Sequence, residues 1–594
     1  MGNRVGVGIT EGASGNTIGP DNVIAYSDYR GVELHEQGTL YNTMTRNSIH
    51  DNASTGIELI GGNGQLAAPV VLEFDLPAGT VRGVSCCECT VEVFSDSGDE
   101  GRIYEGTATA DQTGAFTISK GVPLIGPHLT ATNTDLGGNT SPFSQPTFGS
   151  VGSLRMQHGN DLAVTQLQAR QSAELQDNGI GLGISQMGSS ESWDLTFYPR
   201  GVKRARASIT GLEPELVDWD SPEFSVHPGQ DAVFTRMADN GLAVTYVLIF
   251  WDKATWPGGV GAPCARFKTQ GEIDRYLEFV EFIVHHFKDR VEYYELWNEP
   301  NIRYYCPKWI ELGDYINLVK QTVPVIRAEY PEAKVSVGSV SNTRFAAYDY
   351  LLELLESDIM PLVDVISWHP MYDTSPEDEI YRDYWYQYPS MVQEIKDTAT
   401  AHGFDGEYQA AELGWHTPGE PGDEPLLHSP TGANKYASRA IVMHLGLDVA
   451  VDNSVGEGVT LGNLCTVMAG TEPATLPVQV QTIVTDTVVN VVAYTFSAPY
   501  GDHLVALWTD GIAADYDPGV PVTVTVPGMA DRTVAGIDVL YGFEQRVMTT
   551  EEDSDVVIRD LLVKDYPIIL RLSSIKHVFL PIGMSGRAGP SRLR

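Results

Sequence analysis

The sequence predicts a multidomain chain of mixed α/β and all-β class. An eight-fold β/α barrel occupies the middle, with β-sandwiches on both sides and a remnant of parallel β-helix at the N-terminus. Three observations predict this. From about residue 155 to 470, strand-like apolar runs alternate with helical stretches, which implies parallel β/α units. On either side, short runs alternate apolar and polar residues between Gly, Asp and Asn turns. The first sixty residues repeat with an offset of 25.

The repeat is seen where Asn22-Val23-Ile24 recurs as Asn47-Ser48-Ile49, and Gly31-Val32-Glu33-Leu34 as Gly56-Ile57-Glu58-Leu59. A fixed period of this size marks a solenoid whose coils bury one another's apolar edges. Asn and Gly at matched positions suit the tight turns between short strands. Residues 1–66 therefore read as parallel β-helix coils. Two coils are too few for stability, since about three are needed. Either coils are missing upstream, or the next domain covers the open end. The N-terminus reads as the middle of a repeat with no signal peptide, so an N-terminally incomplete chain is expected.

Residues 67–150 contain Thr90-Val91-Glu92-Val93-Phe94 and Ala115-Phe116-Thr117-Ile118, short alternating strands of a β-sandwich without a catalytic constellation. The barrel is placed at 151–472. Its strands are expected at Gly179–Gln186, Lys203–Ile209, Leu242–Trp251, Val291–Trp297, Lys334–Val340, Val363–Trp368, Gly406–Glu412 and Leu447–Val451. Gly271–Phe287 and Trp309–Glu329 are among the helices between them. Such a TIM barrel carries its active site at the C-terminal strand ends. A second β-sandwich is expected over 473–574, from runs such as Val522-Thr523-Val524-Thr525-Val526, and an irregular basic tail over 575–594.

Composition bounds the partners. With 38 basic and 78 acidic residues in 594, the formal charge of −40 argues against nucleic acid or an anionic membrane surface. It fits a neutral ligand. No run of 18 apolar residues is present, so membrane insertion is not expected. The six cysteines form no zinc pattern. Cys264 and Cys306 follow the third and fourth barrel strands, where a disulfide could join neighbouring loops.

Two short strings carry the chemistry: Trp297-Asn298-Glu299-Pro300 and Ala411-Glu412-Leu413-Gly414-Trp415. Each puts a glutamate at the end of a strand-like run, and the two lie 113 positions apart. Two carboxyls held on rigid strand ends suit glycosidic cleavage, in which one protonates the leaving oxygen and the other attacks the sugar or activates water. An isolated Asn-Glu-Pro is weak, because Asn and Pro also favour ordinary loops. The pair in a β/α series is more specific.

Together these strings resemble the signature of clan A glycoside hydrolases, and the barrel with its following β-sandwich is similar to family 39. The ending Leu129-Thr130-Ala131-Thr132-Asn133-Thr134-Asp135, then Gly137-Gly138-Asn139-Thr140-Ser141, resembles bacterial immunoglobulin-like modules. The clan resemblance implies that Glu299 is the acid/base and Glu412 the nucleophile, with Asn298 on the sugar 2-hydroxyl. It also implies that Arg206 lies beneath the nucleophile, with Arg204 as competing candidate. His369 and Tyr372, at the end of strand six, could donate to the nucleophile. The acid should have a pKa raised by burial and by the nucleophile's charge.

Sugars present an apolar C–H face to aromatic platforms. Trp251 and Trp415 are candidates by position. The cluster Tyr381, Tyr384, Trp385, Tyr386 and Tyr388 reads better as helix packing. One departure from the clan is clear: no aromatic residue lies between 447 and 465, where a tryptophan usually ends strand eight. Strand eight is expected to be short and the barrel imperfectly closed.

The expected activity is retaining hydrolysis of β-linked glycosides or polysaccharides, with carboxyls about 5–5.5 Å apart and no metal or organic cofactor. The alternative is a non-catalytic carbohydrate-binding or surface adhesion protein on a degenerate barrel. An extracellular or cell-surface location follows from the module types and the acidic surface.

Overall fold

The computed structural model describes residues 3–157, 163–184, 197–207, 224–250, 264–303, 308–341, 343–417, 427–453, 459–482 and 489–574. Near the N-terminus, three sets of short strands pair in parallel: Val5–Ile9 with Arg30–His35 and Ile57–Ile60, Thr17–Ile18 with Thr43–Met44, and Val23–Ala25 with Ser48–His50. Val32 pairs with Ile57 and Ile24 with Ile49, so most of the pairing follows the sequence repeat. Stacking puts like residues on like. Asn22 Nδ2 donates to Asn47 Oδ1 at 3.0 Å, and Val32, Leu34, Ile49, Ile57 and Leu59 form one buried core.

The next domain covers the end of this stack. Asn52 donates from both its nitrogens to Glu100, Thr45 Oγ1 donates to Glu92, and Asn63 Nδ2 donates to the Thr140 carbonyl. That domain consists of a three-stranded and a four-stranded antiparallel sheet around Val81, Val91, Val93, Phe116, Leu129 and Ala131. Cys86 and Cys89 form a disulfide within it.

The eight barrel strands are β1 (Ile180–Ile184), β2 (Arg204–Ala207), β3 (Ala243–Leu248), β4 (Tyr293–Leu296), β5 (Lys334–Val340), β6 (Val365–Trp368), β7 (Glu407–Leu413) and β8 (Ala450–Asn453). They form a closed parallel barrel in chain order. Among the described residues the α-helices are α1 (Pro228–Asp239), α2 (Gln270–Phe287), α3 (Leu312–Glu329), α4 (Ala346–Leu355), α5 (Glu379–Ala401), α6 (Pro430–Gly446) and α7 (Val459–Val467). Helix α2 shows why they form. Thr269 Oγ1 accepts the Glu272 amide as N-cap, which is worth about 1 kcal/mol. Ile273, Tyr276, Phe279, Val280, Ile283, Val284 and Phe287 then repeat every three or four residues and are buried against the strands.

Two expectations are corrected. Barrel closure is complete: β8 pairs with β7 (Ala410 with Val451) and with β1 (Ile180 with Val451). Two registered neighbours hold a strand that carries no aromatic residue. Val151–Ser153 and Val164–Gln166 do not belong to the barrel either. Val151–Ser153 pairs with Val70–Asp75 of the preceding domain, and Val164–Gln166 pairs with Phe543–Arg546 near the C-terminus. Val70, Leu72 and Val84 share a core with the C-terminal sheets.

The C-terminal part pairs a seven-stranded with a four-stranded sheet and packs on α6. Lys435 bridges to Asp565 at 2.7 Å, and a Cβ at Gly446 would come within 2.2 Å of Tyr494. Glycine permits that close approach. Cys264 is disulfide-bonded; Cys306 lies outside the described residues, as does the 575–594 tail. Among the described residues, no helix is long and apolar enough to cross a membrane.

Candidate active site

Strand β4 and the turn after it supply the first carboxyl. Its side chains alternate, so Glu295 points into the barrel and is fully buried. Beyond β4 the backbone is strained: Trp297 has φ 71° and Glu299 φ 56°, in the left-handed region that non-glycine residues rarely adopt. The facing Ser339 on β5 has φ 46°, and its carbonyl accepts the Glu299 amide at 2.9 Å. Trp297 is sealed under the Arg266 guanidinium, 4.8 Å from its ring. The strain holds Glu299 over the barrel mouth with its carboxyl partly accessible.

Arg206 on β2 organises the floor. Its Nε and Nη2 donate to Glu295 Oε1 at 2.9 and 2.6 Å. Nη2 also reaches Asn298 Oδ1 at 2.7 Å and Ser339 Oγ at 2.9 Å, while Nη1 stands 3.6 Å from Glu412 Oε2. Arg204, two residues earlier, lies toward the opposite end of the barrel, bonded to Asp177 at 3.1 Å and 4.0 Å from Glu407. The structure thus separates the two candidate arginines, and only Arg206 reaches Glu412.

Glu412 is the penultimate residue of β7. It meets Glu299 across His369, which follows β6. His369 Nδ1 lies 3.4 Å from Glu299 Oε1 and 3.6 Å from Glu412 Oε2, so these two carboxylate oxygens are at most about 7 Å apart. The other ring nitrogen, Nε2, lies 3.1 Å from Ser339 Oγ, which fixes the ring. His369 is 5% exposed, but both glutamate side chains retain access to solvent. Asn298 sits beside them, with its oxygen committed to Arg206 and its Nδ2 3.5 Å from Glu299 Oε2.

The expected elevation of the Glu299 pKa is not found. Burial pushes the carboxyl up, but His369 and Lys308 outweigh it and hold the group well below the ordinary carboxylate range. Lys308 Nζ donates directly to Glu299 Oε2. The Lys308 carbonyl accepts Trp297 Nε1 at 2.6 Å, which anchors its backbone beside the end of β4.

The remaining candidates divide. Tyr372 is half-buried, its ring 5.3 Å from His416, and its backbone pairs with Gly414, two residues past Glu412. Trp415 is corrected as a platform. It is 1% exposed, stacked on Tyr436 at 6.2 Å, with Nε1 donating to the Thr374 carbonyl. Tyr436 of α6 stacks on its ring and Trp385 of α5 meets it in a T-shaped contact, so the buried ring has no exposed face for a sugar. Trp251 lies outside the described residues. Tyr384, Trp385 and Tyr388 of α5 are buried, as helix packing requires.

Sequence reasoning missed several residues. Glu295 and Ser367 complete the floor, the Ser367 hydroxyl donating to Glu295 Oε2 at 2.8 Å. A charged residue at an inward strand position was the available signal for Glu295. Asp452 on β8 is fully buried and accepts Gln409 Nε2 at 2.6 Å. Burial raises its pKa to about 7, against the pull of Arg206 and Arg204. Nothing local in the sequence marks Lys308.

No family model and no curated protein matches this chain. Among solved structures, it is similar to a family 39 glycoside hydrolase from the gut symbiont Bacteroides cellulosilyticus WH2, with 14% identity over 85% of this chain and 100% of that chain, at a TM-score of 0.50. A GH30 endoxylanase from Clostridium papyrosolvens C71 matches at 14% identity over 69% of this chain and 99% of that chain, with a TM-score of 0.46. At these identities the likeness is one of fold alone, centred on the eight-stranded parallel barrel.

Proposed function

We propose that this chain is a retaining glycoside hydrolase acting on β-linked oligo- or polysaccharides. The observation that carries the reading is the approach of Glu299 and Glu412, from distant strands, to one nitrogen of His369. A limit of about 7 Å between their near oxygens is compatible with the separation of about 5–5.5 Å used for covalent catalysis.

In this reading Glu412 attacks the anomeric carbon while Glu299 gives its proton to the departing oxygen. The glycosyl ester on Glu412 is then hydrolysed by water, whose proton Glu299 takes. Arg206 supplies positive charge beside Glu412, His369 Nδ1 lies 3.6 Å from it, and in this reading Asn298 Nδ2 meets a sugar hydroxyl. Glu299 must gain a proton before the first step, so its contact with Lys308 has to open when substrate enters.

Residues 1–66 are read as parallel β-helix coils and 67–150 as an immunoglobulin-like spacer, with the whole acting outside the cell or at its surface. The competing reading, a carbohydrate-binding protein without turnover, draws on the Lys308–Glu299 pair and on the absence of an aromatic residue in β8. Hydrolysis of a panel of aryl β-glycosides by wild type, Glu299→Gln and Glu412→Gln separates the two. Turnover that falls on either substitution supports the enzyme; binding without turnover in all three supports the binding protein.

A further inference from the structure

We propose that Phe345 is an aromatic platform for a neutral β-linked glycan chain, set at the rim of the barrel mouth between β5 and β6. It makes a polymer a better substrate than a short glycoside. The proposal deepens the glycosidase reading above and rests on it for the place of the cleaved bond.

Phe345 breaks two local rules at once. It stands at the N-cap of α4, where a side chain that accepts a backbone amide is preferred, and it makes no such bond. Its backbone has φ 49° and ψ −127°, a conformation open to glycine and avoided by bulky residues. Burial does not offset this, because Phe345 is 80% exposed. Single exposed apolar residues are ordinary on a protein surface. An exposed ring held on a strained backbone is not, and breaches of this kind concentrate at functional sites.

The loop under the ring belongs to the catalytic face. It leaves the C-terminal end of β5, which finishes at Val340. The Ser341 amide donates to Asn301 Oδ1 at 2.9 Å, and Asn301 Nδ2 donates to the Ser341 carbonyl at 3.1 Å. Asn301 lies two residues past Glu299. Thr343, fully buried, donates its amide to the His369 carbonyl at 3.2 Å, and its hydroxyl lies 3.1 Å from the Tyr384 hydroxyl. The Arg344 guanidinium stands 4.2 Å from the ring centre of Tyr381 on α5. One loop is therefore bonded both to the turn that carries Glu299 and to His369, whose Nδ1 faces both carboxyls. Two peptide units separate Thr343 from Phe345, so their Cα atoms are at most about 7.6 Å apart.

That reach sets the ring beside the mouth, where it meets a sugar a few units along the chain from the bond cleaved. A pyranose presents an apolar C–H face, and a phenyl ring with no polar atom stacks on it whatever the hydroxyl pattern. The firm loop means that little order is lost when the sugar binds. The chain's net charge of −40 favours a neutral polymer over an acidic one.

The test measures kcat/KM on soluble xylan, mixed-linkage β-glucan and xyloglucan, and on the 4-nitrophenyl β-glycosides of xylose and glucose. Wild type, Phe345→Ala, Phe345→Gly and Phe345→Trp are compared. We expect Phe345→Ala and Phe345→Gly to lower the ratio of polymer to aryl-glycoside kcat/KM about tenfold, through KM, as loss of one aromatic anchor does. Phe345→Trp should keep the ratio. A structural role alone would lower both substrates together and leave the ratio unchanged. Phe345→Gly should melt above Phe345→Ala, because glycine takes this backbone freely; the reverse order contradicts the strain. Affinity electrophoresis through gels holding each polymer reads binding without turnover, and Phe345→Ala should be retarded less than wild type. An unchanged ratio and unchanged retardation in Phe345→Ala overturn the proposal. So does a wild type neither retarded by nor active on any of the three polymers. Self-association of wild type that Phe345→Ala abolishes, with the ratio unchanged, would make the ring a contact between copies and overturn it too. Glu299→Gln and Glu412→Gln run alongside. If they hydrolyse polymer as wild type does, or wild type binds polymer and cleaves nothing, the glycosidase reading falls, and retardation alone judges Phe345 as a glycan platform. Activity that depends on both glutamates, with the Phe345→Ala ratio unchanged, overturns the platform alone.

Discussion

Replacing Arg206 with methionine tests the floor of the site. The guanidinium is 1% exposed and makes two hydrogen bonds to Glu295 Oε1, at 2.9 and 2.6 Å. Without it, the Ser367 hydroxyl at 2.8 Å is the one side-chain donor left to the fully buried Glu295 among the described residues. Removing one partner of a buried ion pair costs about 3–5 kcal/mol, because the other charge is stranded. That is about a hundred- to several-thousand-fold in the folding equilibrium. Arg206→Met combined with Glu295→Leu removes both charges and should recover most of the loss, as buried pairs are often replaceable by apolar side chains. Urea unfolding followed by tryptophan fluorescence reads this directly, since Trp297, Trp368 and Trp415 are all buried in the barrel. The chain has several domains, so the barrel transition must be fitted separately. Recovery of stability should not bring recovery of hydrolysis. The double variant still lacks the donor to Asn298 Oδ1 and the cation 3.6 Å from Glu412. A single variant destabilised by less than about 1 kcal/mol would refute the reasoning, because that is the range of an exposed pair. A double variant no better than the single would refute it too.

Asp452 gives a pH signature. Its folded pKa, raised by burial to about 7, exceeds the ordinary carboxylate value. The folded state therefore binds the proton more tightly, and stability is lost as pH rises from about 4 to 7. Asp452→Asn should remove this slope and stabilise the barrel above pH 7, by at most about 4 kcal/mol; parallel urea curves at pH 5 and 8 check it, and equal slopes in the two proteins would contradict it. Trp415→Ala should cost about 3–5 kcal/mol as a buried aromatic, with hydrolysis falling only as the folded fraction falls. A rise in KM at full folding would instead restore Trp415 to the sugar site.

The barrel was legible because its cause is local. Each strand is a short apolar run, and each helix repeats apolar residues every three or four positions, so β5 was predicted at its observed ends, Lys334–Val340. Strand eight was placed three residues early, at Leu447 rather than Ala450, because α6 continues to Gly446 and its cap occupies Leu447. The positions of Glu299 just past β4 and Glu412 at the end of β7 were legible because a strand end needs no knowledge of neighbours. Trp415 misled because its neighbours decided its face. Trp385 on α5 and Tyr436 on α6 close over it, and neither is near it in the chain.

What the sequence determined alone was periodicity: a 25-residue repeat whose stacking follows the same offset, eight β/α units, and two glutamates at strand ends. Those follow from backbone geometry, which acts over a few residues at a time. The tertiary structure alone decided which charges meet. Arg206 rather than Arg204 lies under Glu412, Glu295 is neutralised in the barrel, and Lys308 folds back onto Glu299. Coulomb interactions depend on distance in space and on burial, and neither is written in spacing along a chain.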